Sequence, residues 1–208
     1  MDMTSQRVIE TIYAVALFAG YVALWAAKRR HQRLRTGHDP EVLDDAGSPL
    51  QRFFRQGANA LTVAAVLILV IHGAGLPGPG FGVYAPFDRP FADRAGLAIG
   101  VAGLSICALA QWTMGLSWRV GIDEARPAPL VTVGIYRSVR NPTYLGLFLV
   151  DAGLWLIWPS AAVALFWLAS WLLLEVQVRC EEEFLARVHG AAYVDYLART
   201  WRYLPFVY

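Results

Sequence analysis

Residues 139–160 read VRNPTYLGLFLVDAGLWLIWPS, and the architecture unfolds from this stretch. Arg140, Asn141 and Pro142 bring a guanidinium, an amide and an imino acid to the edge of an apolar run that ends at Trp158, where Pro159 and Ser160 interrupt it before a second apolar run begins. Two such runs joined by Trp158-Pro159-Ser160 predict a helical hairpin, with the proline in a first-turn position where its missing N–H costs nothing. Pro142 biases Asn141 toward an extended backbone, so the first helix of the hairpin starts at Pro142 or just after it. The free N–H groups and positive dipole end of that helix then face the membrane interface, where they can hold a carboxylate or another polar ligand. Taken alone, the segment also reads as an interfacial cap in which Arg140 snorkels to headgroups and Tyr144 belongs to the aromatic belt.

Composition extends this reading to the whole chain. A sequence of 208 residues that is 57% hydrophobic and 16% charged lies outside the range of soluble domains. It reads as an all-α integral membrane protein. Apolar stretches near 9–27, 57–76, 94–117, 144–158 and 160–178 approach the roughly 20 residues needed to cross a ~30 Å hydrocarbon core, giving about five transmembrane helices, the last two forming the hairpin, followed by a cytoplasmic helical tail. The first run is too long for a signal peptide and lacks a small-residue cleavage site, so it is expected to be retained.

Basic residues set the orientation. Lys28, Arg29, Arg30, Arg33, Arg35, Arg52 and Arg55 fall between the first two spans; Arg119, Arg126, Arg137 and Arg140 precede the hairpin; Arg179, Arg187, Arg199 and Arg202 lie in the tail. The remaining three, Arg7, Arg89 and Arg94, fall on the other side. Five spans segregate the two groups, with the N-terminus outside and the tail in the cytoplasm. Lys28 is the one lysine, and Arg-heavy, Ala-rich usage suggests a bacterial chain and hence the inner membrane.

Several function classes drop out. The basic residues are dispersed without an aromatic platform, so no nucleic-acid partner is expected. His31, His38, His72 and His189 are scattered, and Cys107 and Cys180 lie at different depths, so neither a metal site nor a disulfide is expected. The Gly/Pro stretch at 75–87 lacks the lysine and preceding strand of a phosphate loop and reads as an outer turn. A transporter would show internal repeats and broken helices, which the sequence lacks.

Polar chemistry concentrates after about position 111, so the chain divides into N-terminal helices and loops at 1–110 and a functional core at 111–208. Pro127 and Pro129 forbid a continuous helix, and Gly134 frees the backbone ahead of Tyr136. Glu175, Arg179, Glu182 and Glu183 share one face of the last long helix, where Arg179 can neutralise Glu175. Glu181, Glu182 and Glu183 cannot all serve that arginine, so at least one is open to an external cation or hydroxyl. Tyr193, Tyr196, Trp201, Tyr203 and Phe206 make an aromatic tail long enough to fold back over the cytoplasmic mouth of the helices. A helix N-terminus, arginine, carboxylates and an aromatic cover suit a zwitterionic ligand, of which S-adenosylmethionine is one.

The segments LVTVGIYRSVRNPTYLG at 130–146 and EEEFLARVHGAAYVDYLARTWRYLP at 181–205 resemble the membrane superfamily of isoprenylcysteine carboxyl methyltransferases and phospholipid N-methyltransferases. The resemblance covers roughly the last 100 residues, with Asn141 where the family usually has His and His189 where it has Phe. It implies transfer of a methyl group from S-adenosylmethionine to a lipophilic acceptor that enters from the bilayer. A phospholipid amine, a small thiol or an isoprenoid remain alternative acceptors, and a non-enzymatic scaffold the alternative class. The resemblance further implies a cofactor site at Gly134, Tyr136, Asn141, Pro142, Tyr144, Glu182 and Glu183. Arg140, Asn141 and Arg202 are the candidates for catalysis, and Tyr196 and the intramembrane carboxylate Asp151 for the acceptor. On this reading Glu183→Ala abolishes cofactor binding in a folded protein.

Overall fold

The computed structural model describes residues 3–43, 48–76, 78–87 and 89–205. Among the described residues six α-helices follow in order: α1 (Met3–Thr36), α2 (Pro49–Gly73), α3 (Pro90–Met114), α4 (Pro142–Ile157), α5 (Ala161–His189) and α6 (Ala191–Arg199). Proline stands at the start of α2, α3 and α4, where a missing N–H leaves no bond unmade. Pairing between extended segments among the described residues is confined to three isolated bridges, so the fold is all-α. Phe206, counted in the aromatic tail, and Pro77 of the outer turn lie outside the described residues.

Helices α1, α2, α3 and α5 are long and apolar enough to cross a membrane, and the protein is an integral membrane protein. Helix α4, expected as a fifth crossing, has 16 residues. At 1.5 Å per residue it reaches roughly 24 Å, short of the ~30 Å core. Its hairpin end is completed by protein. Trp158 and Ser160 are buried, the Tyr84 N–H donates to Pro159 O at 2.8 Å, and the Ala162 N–H donates to Gly80 O at 2.9 Å. Irregular backbone at membrane depth is tolerated where protein covers it in this way. The hairpin turn forms where expected, but Pro159 stands before the N-cap and not in the first turn. Ser160 is the cap, its Oγ accepting the Val163 N–H at 3.4 Å.

The most extensive packing joins α3 to α4. A stripe of Gly96, Gly100 and Gly103 faces Gly146 and Gly153. A Cβ placed on Gly103 would lie 2.5 Å from Gly146 O, and one on Gly153 would lie 2.5 Å from Gly96 O. Backbone therefore touches backbone, which only small residues allow, and van der Waals contact holds the pair where lipid supplies no hydrophobic drive.

At the opposite end from the hairpin turn, the tail returns to the start of α4. The Arg140 N–H donates to Trp201 O at 2.9 Å, the Asn141 N–H to Arg202 O at 3.2 Å, and the Trp201 N–H to Ser138 O at 3.0 Å. Helix α1 runs on to the same end, where Lys28 Nζ donates to Gly115 O at 2.9 Å and Gln32 Nε2 to Trp118 O at 3.1 Å. The division expected at residue 110 falls inside α3, which contributes to both halves.

Candidate active site

Residues 128–141 lead into α4 as irregular chain broken by a 3-10 turn at Gly134–Arg137. Gly134 enters this turn at φ +58°, a left-handed value that favours glycine, and a Cβ there would meet Thr113 Cγ2 at 2.9 Å. The turn carries buried Tyr136, whose carbonyl accepts the Tyr196 hydroxyl at 2.8 Å. Burial, the largest cause, pushes the Tyr196 hydroxyl up to about 12, so it is a protonated donor at neutral pH. The same cause raises Tyr136 and Tyr193.

Asn141 is the N-cap of α4, yet its side chain makes no capping bond. Its Nδ2 donates instead to Glu182 Oε1 at 2.9 Å. Arg140 Nε reaches the same oxygen at 3.0 Å, and Arg202 Nη2 donates to Glu182 Oε2 at 2.7 Å. Arg140 also donates through Nη1 to Thr200 O. Arg202 continues to Glu175 Oε1 at 3.4 Å, where Arg179 Nη2 at 2.8 Å and the Tyr203 hydroxyl at 2.6 Å on Oε2 also converge. Glu182 thus ties the start of α4 to the tail, and its oxygens are occupied by protein donors.

The three successive acids point three ways, as the 100° step of a helix requires. Glu182 faces the arginines. Glu183 faces outward, its side chain 73% exposed and paired with Arg187 at 3.4 Å. Glu181 accepts the Tyr144 hydroxyl at 2.7 Å and Gln177 Nε2 at 2.9 Å, and lines a cavity. The expected common face of Glu175, Arg179, Glu182 and Glu183 holds for the first three, with Arg202 as the link, and excludes Glu183.

That cavity, about 250 Å³, opens between the start of α4, the lower part of α5 and α6. Of the residues singled out in the sequence, Tyr136, Arg140, Asn141, Pro142, Tyr144 and Tyr196 line it. Gly134, Glu182 and Arg202 stand behind the wall and shape it, and Glu183 takes no part in it. Asp151 lies two turns beyond Tyr144 on α4, buried against Ser170, with Oδ2 unpartnered among the described residues. Its partner is the Ser170 hydroxyl. His189 ends α5, its Nε2 buried without a partner among the described residues.

Sequence reasoning missed the opposite wall. Tyr21 and Trp25 of α1, Phe54 of α2, Gln111 and Met114 of α3, and Trp118 complete the cavity. Aromatics in an apolar helix look alike whether they face lipid or a pocket; only Gln111, a polar side chain near the end of a span, carried a signal.

Residues 91–192 match the family described as phospholipid methyltransferase. A probable protein-S-isoprenylcysteine O-methyltransferase of Oryza sativa subsp. indica is 31% identical over 121 residues, 56% of this chain and 63% of that protein. The nickel-cobalt-cadmium resistance protein NccN of Alcaligenes xylosoxydans xylosoxydans is 28% identical over 165 residues, 77% of this chain and 70% of that one. The solved structure of the eukaryotic intramembrane Ras methyltransferase ICMT superposes with a TM-score of 0.54 at 19% identity, covering 94% of this chain and 68% of that one. Residues 91–192 are thus similar to the phospholipid methyltransferase family and, through the curated relatives, to the isoprenylcysteine O-methyltransferases. The chain spans about a third to about two thirds of the length of the isoprenylcysteine O-methyltransferases it matches. The superfamily match takes in α3, α4, α5 and Glu181, and leaves out α1, α2 and the Arg202–Tyr203 end of the tail.

Proposed function

We propose that this chain is an integral-membrane methyltransferase that uses S-adenosylmethionine and acts on a lipophilic acceptor, in the manner of the isoprenylcysteine carboxyl methyltransferases. One observation carries the reading: a single cavity is walled on one side by the superfamily segment, through Arg140 to Tyr144 and Glu181, and on the other by apolar residues of the membrane helices. The residues fit the cofactor. Tyr193 is buried, lines the cavity and leaves its hydroxyl without a partner among the described residues, while Glu181 offers a carboxylate beside the aromatic rings of Phe184 and Tyr196.

When bound, S-adenosylmethionine supplies an electrophilic sulfonium methyl group. Tyr136, Tyr144, Glu181, Tyr193 and the helix start at Asn141 and Pro142 hold the donor in place. Arg140, locked by Glu182, sets the charge beside it. Gly134, Glu182 and Arg202 act as positioning residues. Methyl transfer is an in-line displacement, so the work of the protein is alignment and exclusion of water. An ionised carboxylate acceptor needs no base at neutral pH; an amine or thiol must first lose a proton, and Glu181 is the carboxylate placed to help. The N-terminus lies outside and the cavity opens to the cytoplasm of a bacterial inner membrane, as the arginine distribution supports.

Calorimetric titration of the detergent-purified protein with S-adenosylmethionine and S-adenosylhomocysteine tests the class. Micromolar binding, weakened by Tyr193→Phe and unchanged by Glu183→Ala, is expected. No binding in a folded sample removes the methyltransferase reading.

A further inference from the structure

The face of α3 that packs α4 runs through Gly96, Gly100, Gly103 and Cys107 and ends at Gln111. At Cys107 the two helices still touch, the thiol donating to Thr143 O at 3.3 Å. One turn later α4 has run out, and the cavity takes its place. Gln111 is 3% exposed and lines that cavity, yet its Oε1 has no hydrogen-bond partner among the described residues. A buried amide oxygen left unpaired costs free energy that a leucine or methionine of similar volume would not. The neighbouring wall of Tyr21, Trp25, Phe54, Met114 and Trp118 is largely apolar. Across the cavity the Tyr144 hydroxyl is already given to Glu181 Oε1. Gln111 therefore presents an acceptor for which the described residues supply no donor.

We propose that Gln111 is a specificity-determining residue, its Oε1 accepting a hydrogen bond from an N–H or O–H group that a lipophilic acceptor carries beside the atom to be methylated. The inference rests on the methyltransferase reading and deepens it: the aromatic wall holds the hydrocarbon part, and Gln111 reads the polar end. Acceptors lacking the donor leave the oxygen unpaired and bind less tightly.

Two farnesyl thioethers test this, one of N-acetylcysteine and one of 3-mercaptopropionate, which differ by the acylamino group. Their binding is read by quenching of intrinsic tryptophan fluorescence in detergent with S-adenosylhomocysteine saturating. The wild-type protein is expected to bind the acylamino compound roughly tenfold more tightly. Gln111→Met is expected to bind the two alike, to keep its calorimetric affinity for S-adenosylhomocysteine, and to melt higher than wild type when empty. A preference that survives in Gln111→Met, a wild type that shows no preference or binds neither compound, or a lower melting temperature of the empty variant overturns the assignment. If S-adenosylhomocysteine binds in those cases, the methyltransferase reading stands without Gln111; if it fails to bind folded wild type, both fall.

Discussion

Glu182 illustrates how a single carboxylate organises this site without entering the cavity. It is held by Arg140, Asn141 and Arg202, all with little solvent exposure, so removing it leaves two arginines short of their common counter-charge. Breaking a buried pair from one side costs on the order of 3 kcal/mol, more than the pair itself contributes, because the remaining charge stays desolvated. Glu182→Ala is expected to lower the melting temperature by several degrees and to weaken cofactor binding through displacement of Arg140. Glu181→Gln is expected to weaken binding with little change in melting. Thermal melts paired with calorimetry separate the two, and equal melting losses in both variants would place Glu181 in the structural network instead. The run of three acids looks uniform in sequence; the helical step assigns one to the cavity, one to the arginines and one to water.

Among the helices, the α3–α4 pair depends on glycine at positions where no other residue fits. At Gly146 an added Cβ would meet Gly103 O at 2.6 Å and Cys107 Sγ at 2.5 Å, and backbone cannot yield. At Gly57 the obstacle is the Leu173 side chain at 2.8 Å, which can turn aside. Gly146→Ala is therefore expected to destabilise by about 2 kcal/mol or more, the range of overpacked cores, and Gly57→Ala by a small fraction of that. Chemical denaturation in a fixed detergent, followed by tryptophan fluorescence, measures the difference. Similar midpoints for both variants would show that α3 and α4 can separate without loss. The same stripe explains the cavity: α4 begins too late to cover the last turn of α3, so the close contact ends and a space opens at Gln111.

Across the whole molecule, the N-terminal helices serve the site from outside the superfamily segment. Gln32 of α1 donates to both Leu116 O and Trp118 O, and Lys28 to Gly115 O, pinning the chain as it leaves α3 and turns along the cavity. Gln51 of α2 accepts the Ile122 N–H at 3.2 Å a little farther on. Gln32→Ala is expected to speed amide exchange across residues 116–122 at least several-fold while leaving the protected core of α4 unchanged. Hydrogen exchange with mass-spectrometric readout checks this, and unaltered exchange would mean that Gln51 and the backbone bonds from Val42 N–H to Val120 O and from Val120 N–H to Pro40 O suffice to hold the segment.

The sequence by itself determined that this is a helical membrane protein, where most of its helices run, and which segments carry the polar chemistry. Those properties follow from residue type and local spacing: hydrocarbon length, proline at helix starts, and the motif around Arg140 to Gly146. The fold-back of the tail was also legible, because its aromatics had to be covered. Only the tertiary structure decided which side chains meet. It placed Glu181, and not Glu183, in the cavity wall, put Glu182 behind that wall, held α4 to a short helix covered at its end by the loop between α2 and α3, and brought Tyr21, Trp25, Phe54 and Gln111 to the site. The physical reason is that lipid and a lined cavity ask the same apolar residues of a helix, so the choice between them rests on long-range packing, set here by backbone contact along the glycine stripe.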